Sequence, residues 1–158
     1  MYKATREFIK LRQPYSDAMI EVVSVKRIGC EDARFCYDNA CKVIDVQANT
    51  FIVSGWIVCK FSIENKHTEI LQHYWNVDES GGHFDTTELG KIDVEYVVDS
   101  EISLYIQKHY DDYTSDVCSS LLLNDDGSLS AMDFLETGTV FREIDDLSTP
   151  SLFSSLRK

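Results

Sequence analysis

The chain has 158 residues, of which 44% are hydrophobic, and carries a formal net charge of −12. This length and apolar content predict a folded domain with a buried core and exclude a disordered chain. An acidic chain without clustered Lys and Arg lacks the basic footprint of nucleic-acid binding, so we expect none. No apolar run approaches the ~20 residues of a membrane span, and residues 1–8 lack a long apolar stretch, so we expect neither a membrane span nor a secretory signal.

The cysteines form an odd set without the dense spacing of a secreted disulfide scaffold. We therefore expect a reducing, cytoplasmic compartment in which thiols stay free for chemistry. They also lack Cys-x-x-Cys spacing, and the histidines lack the helical His-x-x-x-His step, so we expect no metal and no other cofactor. The five cysteines are Cys30, Cys36, Cys41, Cys59 and Cys118.

The first two predicted elements follow from short sequence patterns. Residues 1–12 alternate charged and apolar positions, which fits either a short helix or a strand. Residues 18–28 are rich in β-branched side chains and predict a strand.

A helix is predicted from about residue 31 to residue 47, because small and apolar residues recur there at three- and four-residue steps. Ala33, Cys36 and Ala40 fall on one face of it. Asp32 lies at its start, where an acid complements the helix dipole. Cys36 is therefore predicted in the first turns of a helix.

Further strands follow, and Gly81 and Gly82 predict a hairpin turn between two of them. One helix followed by several antiparallel strands is typical of an α+β domain. We expect the Cys-bearing helix to pack on this antiparallel sheet. The predicted strands cover residues 51–63, 68–78, 83–87 and 92–98.

The last third of the chain is less patterned. Residues 101–110 fit a helix, and residues 131–136 fit a short ordered piece. We interpret residues 1–158 as one domain, with a core over 18–98 and an acidic C-terminal extension over 99–158.

Three residues in this order predict a nucleophilic site: Cys36, His73 and Asp85. A thiol attacks as its thiolate, which a helix N-terminus favours. A histidine takes the thiol proton and later returns it to the leaving group. An aspartate fixes the orientation and tautomer of that histidine. The hairpin predicted above would bring His73 and Asp85 side by side.

Two other residues are candidates for these roles. Cys30 follows Gly29 and competes with Cys36 as the nucleophile. His83 is an alternative base, although it lies two residues from Asp85 on one strand, where the pair is less well oriented than a cross-strand pair.

Four segments together resemble the core of the transglutaminase-like family of papain-related cysteine hydrolases: residues 29–40, 53–56, 73–77 and 84–87. In that family a helix-borne Cys precedes a strand, a His-x-Trp strand and an Asp-Pro-Thr strand. Here Asp85-Thr86-Thr87 stands in place of Asp-Pro-Thr. The segments around Cys36 and His73 are also similar to small bacterial and phage proteins of uncharacterised function.

The resemblance implies an α+β, transglutaminase-like fold and a cysteine hydrolase or transamidase. Cys36 would attack a carbonyl, His73 would act as base and then acid, and Asp85 would orient His73. The substrate would be a protein or peptide. The alternative hypothesis is an inactive acidic module that binds another protein. If the chain is phage-encoded, that partner would be a host protein and the compartment would be the host cytoplasm.

Overall fold

The computed structural model describes residues 1–13, 20–31, 36–60, 67–100, 119–124, 126 and 129–134. The helix expected over 101–110, and most of the acidic extension, lie outside these residues. The described elements are α1 (Lys3–Arg12), β1 (Ile20–Val23), β2 (Val25–Glu31), α2 (Cys36–Val46), β3 (Thr50–Lys60), β4 (His67–Asp78), β5 (His83–Thr87), β6 (Asp93–Asp99), β7 (Ser119–Asn124) and β8 (Leu129–Phe134).

The sheet curls until its two ends meet. Its main path runs β1-β6-β3-β4-β5-β2, so β1 and β2 stand at opposite ends of the path. In the chain, however, only Ser24 separates β1 from β2. One long bent segment therefore pairs antiparallel with β6 through its first half and parallel with β5 through its second half. The result is a small barrel-like sheet with an inside and an outside.

Along one of its edges, strand β4 pairs with two different strands. Residues 67–71 pair with β7, and residues 76–77 pair with β5. Within the described residues, 72–75 have no strand partner on that edge. This gap in the sheet lies beside His73, and the Asp85 carboxylate reaches across it.

Each face of the sheet carries its own apolar cluster, because side chains alternate along a strand. The inner cluster is built on Val53, Ile57, Cys59, Trp75 and Tyr96, with Val23 and Val25 packed against it. The outer cluster lies under the two helices and includes Phe8, Cys36, Tyr37, Ala40, Trp56 and Tyr74. The two tryptophans thus lie on opposite faces of the sheet.

Helix α1 is fixed to β6 through polar contacts. The Glu95 carboxylate accepts hydrogen bonds from the Tyr2 amide and the Thr5 hydroxyl, and so caps a helix start that has no cap of its own. At the other end, Arg12 donates to Asp99 at 2.9 Å, and both side chains are buried. The indole of Trp56 also donates to Asp99, at 3.1 Å. These contacts place α1 on the outer face.

The α+β prediction is confirmed. Of residues 1–12, which fitted a helix or a strand, Lys3–Arg12 form a helix, and the strand predicted over 18–28 is present as two strands, Ile20–Val23 and Val25–Glu31. The expectation of an all-antiparallel sheet is wrong at one place, because β2 pairs parallel with β5. That pairing depends on closure of the sheet, which local sequence patterns do not reveal.

Candidate functional site

His73 and Asp85 contact each other directly. Nε2 of His73 lies 2.8 Å from Oδ2 of Asp85, and both side chains are almost fully buried. His73 stands on β4 beside the gap, and Asp85 stands on β5 after that strand has left the pairing with β4. The predicted cross-strand neighbours therefore meet through a side-chain bond that bridges two diverging strands.

Two further donors hold the Asp85 carboxylate. The Tyr96 hydroxyl donates to Oδ2 at 2.7 Å, and the Thr87 amide donates to Oδ1 at 2.9 Å. Burial alone would raise the pKa of Asp85, but the bonds from His73, Tyr96 and Thr87 lower it below the ordinary value. Burial and the neighbouring Asp85 charge raise the pKa of Tyr96, so the phenol keeps its proton. Asp85 is therefore an ionised acceptor.

The His73 ring lies in the inner cluster. It stacks on Trp75 with ring centroids 6.3 Å apart and meets Tyr96 edge-on at 6.0 Å. Because an ionised carboxylate only accepts, Nε2 of His73 carries the proton of the bond to Asp85. Among the described residues, Nδ1 has no hydrogen-bond partner. In the neutral ring Nδ1 is then a free acceptor, as a general base requires.

Cys36 lies on the other side of β4. It is buried at the first position of α2, in the outer cluster with Tyr37 and Tyr74. On β4 the Tyr74 ring points to that helix and meets Tyr37 edge-on at 5.1 Å, whereas the adjacent His73 points inward. No hydrogen bond joins Cys36 to His73 in the described part of the chain. The structure brings His73 and Asp85 together and leaves Cys36 apart from them.

A polar path nevertheless connects α2 to the pair. Asn39, one helical turn beyond Cys36, lies with Nδ2 3.4 Å from the Thr87 hydroxyl. Thr87 in turn donates its amide to Asp85. The start of α2 and the His73–Asp85 pair are therefore neighbours across the end of β5, without direct contact of the thiol and the ring.

The other cysteines differ strongly in exposure. Cys30 on β2 is exposed, whereas Cys59 on β3 is buried. Burial, with the nearby Glu69 charge, raises the pKa of Cys59 to about 11. Cys30 is therefore the most exposed of the four described thiols, and the buried Cys59 is a weak acid that keeps its proton at neutral pH. Cys118 lies outside the described residues.

His83, the alternative base, belongs to a different contact. The Trp75 indole donates to Nδ1 of His83 at 2.9 Å. Burial lowers the pKa of His83, an effect that Glu21 and Asp78 partly offset. His83 is half-buried and does not contact Asp85, so it takes no part in the His73–Asp85 pair.

An open groove lies on the outer surface between the C-terminal half of α2, strands β2 and β5 and the turn over 79–82. Its volume is about 720 Å³. We call it the α2 groove. Its apolar wall consists of Ile28, Val43, Val46 and Phe84, and its charged rim consists of Lys26, Asp78 and Glu79.

Two of the exposed large apolar side chains lie at this groove. Val46 is 84% exposed and Ile28 is 49% exposed, and both belong to the wall. Large apolar side chains left in water are informative when they are grouped around a concave surface. Sequence reasoning missed the groove, because its wall comes from three separate segments that only the closed sheet brings together.

Tyr96 was also missed. On sequence it is one aromatic residue in an alternating strand, yet it supplies a hydrogen bond to Asp85 from β6. The only available signal was its inward position in the alternation of that strand, which by itself indicates core packing.

No protein-family model matches the chain, and neither a curated protein nor a solved structure matches it. In the described part, no helix is long and apolar enough to cross a membrane. No group of three or more His, Cys, Asp or Glu residues with the geometry of a metal site occurs among the described residues.

Proposed function

We propose that this chain is an acidic protein-interaction module that binds a basic, apolar-bearing partner segment in the α2 groove. The observation that carries the proposal is the exposed apolar wall of Ile28 and Val46 around a concavity large enough for several side chains. Binding there would remove Ile28 and Val46 from water, the main favourable contribution in most protein associations.

The charge of the chain argues for a basic partner. The formal net charge is −12, and the groove rim carries Asp78 and Glu79 against one cation, Lys26. Hydrogen bonds from Ser80 and Gly82 lower the pKa of Asp78, so this carboxylate stays ionised at neutral pH. A negative field speeds the approach of basic partners and disfavours acidic ones.

Hydrogen bonds also hold the rim in place, which favours a preformed binding site over one that forms on binding. Asp78 accepts bonds from the Ser80 and Gly82 amides at 2.9 Å each. Glu79 accepts a bond from Asn49 at 3.0 Å, which ties the end of α2 to the turn. A preformed site loses less conformational entropy on binding.

Peptide binding tests the proposal directly. Two fluorescein-labelled peptides would be compared by anisotropy, one with Leu residues flanked by Lys and the other with Glu in place of each Lys. We expect the Lys peptide to bind more tightly. We also expect its affinity to fall with added salt, since exposed charges are screened beyond about 8 Å at physiological ionic strength.

Wall variants separate the groove from general charge attraction. The double variant Ile28→Ser, Val46→Ser should weaken the Lys peptide about tenfold or more, because each aliphatic side chain contributes on the order of 1 kcal/mol when it leaves water. Ile92→Ser is the matched control, because Ile92 is 42% exposed and lies outside the groove. Equal loss in wall and control variants, or equal binding of the two peptides, would contradict the proposal.

The second candidate function is thiol acyl transfer of the transglutaminase-like type. The observation that favours it is the ionised Asp85 bonded to Nε2 of His73, which leaves Nδ1 to act as a base. In this hypothesis the Cys36 thiolate forms a thioester with the substrate carbonyl and expels an amine, which takes its proton from His73. Water or a second amine then resolves the thioester. Cys36 must move into contact with His73 for this to occur.

Iodoacetamide labelling against pH tests the second candidate. If the thiol and the ring pair, Cys36 should label with an apparent pKa well below ~8.5, and His73→Ala should raise it. Slow labelling of Cys36 that is unchanged in His73→Ala would remove the acyl-transfer hypothesis and leave the interaction module standing.

A further inference from the structure

His83 joins the barrel interior to the α2 groove. In the register of the sheet it lies between Val77 on β4 and Val25 on β2. On one side it contacts the fully buried Trp75, and on the other it contributes to the lining of the groove. A half-buried imidazole in this position can exchange protons with solvent while it contacts the core.

The direction of the Trp75–His83 hydrogen bond fixes the protonation state of the ring. An indole nitrogen only donates, so Nδ1 of His83 accepts and is unprotonated. When Nδ1 gains a proton, two donors face each other and the bond cannot form. The Trp75 nitrogen is then left in the core without this acceptor, and the charged ring must turn toward water.

We propose that His83 is a proton-sensitive latch, closed by its bond to Trp75 and opened when a solvent proton binds Nδ1. In the open state the imidazolium faces the groove, where it adds a positive charge to the rim. It would therefore weaken the binding of a basic segment. This last effect rests on the proposed function, whereas the latch itself does not.

The charged groups around His83 come from three strands. Glu21 on β1 and Asp78 at the end of β4 favour the imidazolium, and Lys26 on β2 lines the groove with His83. Burial outweighs the two acids and lowers the pKa of His83 below its ordinary value of 6.5. The latch is therefore closed at neutral pH and opens in mildly acidic solution.

Opening also reaches the His73–Asp85 pair. Trp75 stacks on His73 and meets Tyr96 edge-on, with ring centroids 5.4 Å apart. Both of those residues hold Asp85 by hydrogen bonds. A change in the Trp75 position is thus transmitted through direct contacts to the polar network of the interior.

The two indole resonances in ¹H–¹⁵N spectra provide the test, recorded from about pH 8 to about pH 5 across the histidine range. We expect the Trp75 indole signal, assigned with Trp75→Phe, to move in one titration with a midpoint below 6.5. Trp56, whose indole donates to Asp99, is the internal reference and should not follow it. His83→Gln keeps an acceptor that does not titrate, and it should abolish the transition.

Each outcome of these titrations decides for or against the latch. A Trp75 signal that is constant over this range, or a transition that persists in His83→Gln, would overturn the latch. Movement of both indoles together would also overturn it, because that reports global unfolding. If Trp75 titrates alone but the Lys peptide binds at no pH, the latch holds and the interaction module is wrong. If the peptide binds less tightly in acid only when His83 is present, both hold.

Discussion

The ring of His73 and the carboxylate of Asp85 meet at 2.8 Å across a gap between two strands that have ceased to pair. Both side chains are almost fully buried, and the His73 ring contacts Trp75 and Tyr96 of the inner cluster. The bond therefore contributes to the stability of the barrel interior, whatever chemistry the chain performs. Its removal should be costly, because each partner would be left as a buried polar group.

Asp85→Asn should lower the free energy of unfolding by about 3 kcal/mol at neutral pH, because it disturbs three buried hydrogen bonds to a carboxylate. Urea denaturation followed by circular dichroism would measure this. Tyr96→Phe, which removes one of the donors to Asp85, should cost about 1 kcal/mol. Equal stability of Asp85→Asn and wild type would show that the pair contributes nothing to the core.

Acid should act on Asp85 in a defined direction. Its folded pKa lies below the ordinary 3.8, so its contribution is fully present above that value and disappears as the pH falls through the folded pKa. Between about pH 5 and about pH 2, wild type should therefore lose more stability than Asp85→Asn does. If the stability of the two proteins falls equally over this pH range, Asp85 does not have a lowered pKa in the folded state.

His83 should also make the fold less stable in mild acid. Because its folded pKa is lowered, the unfolded chain takes up a proton first as the pH falls below 6.5. Stability should therefore decline from about pH 6.5 until the folded ring is also protonated. Thermal unfolding of wild type and His83→Gln checks this, since the variant should show a flatter profile in that window.

The thiols should react in an order set by exposure. Cys30 should label first with iodoacetamide in the folded protein, followed by the buried Cys36 and Cys59 only as the chain opens. Cys59 should be slowest at neutral pH, because its pKa is raised to about 11. Peptide mass mapping at successive times gives the order, and fast labelling of Cys36 would instead support the acyl-transfer candidate.

Gly55 should tolerate no side chain. A Cβ at this position would overlap the carbonyl oxygen of Val97 and lie 2.8 Å from the Trp75 ring. Gly55→Ala should therefore lower the free energy of unfolding by about 3 kcal/mol, at the upper end for overpacked cores. Val46→Ala, at a position 84% exposed, is the control and should change it by less than about 0.5 kcal/mol.

Local patterns predicted the elements well and their assembly poorly. Periodicity identified α2 and the strands, and the Gly81–Gly82 turn identified the β4–β5 hairpin that places His73 beside Asp85. The same alternation that made β4 recognisable also turns His73 inward and Tyr74 toward α2, which puts the thiol and the imidazole on different sides. Face assignment depends on how the sheet closes, and that is a property of distant residues.

The α2 groove and the Tyr96 contact were unpredictable for the same reason. Ile28 and Phe84 become neighbours through the parallel pairing of β2 with β5, and Tyr96 reaches Asp85 from a strand on the far side of β3. No spacing rule within one segment encodes such contacts, because they arise only when the two ends of the sheet meet.

The bend at Ser24 carries a consequence for how the chain acquires its structure during synthesis. The segment around it is made before its strand partners, which are β5, ending at Thr87, and β6, ending at Asp99. Until those strands emerge from the ribosome, both halves of the segment remain unpaired. Late, long-range pairing slows folding and leaves strand edges exposed. Among the described strands, the segment that closes the barrel is thus separated from its pairing partners by the longest stretch of chain.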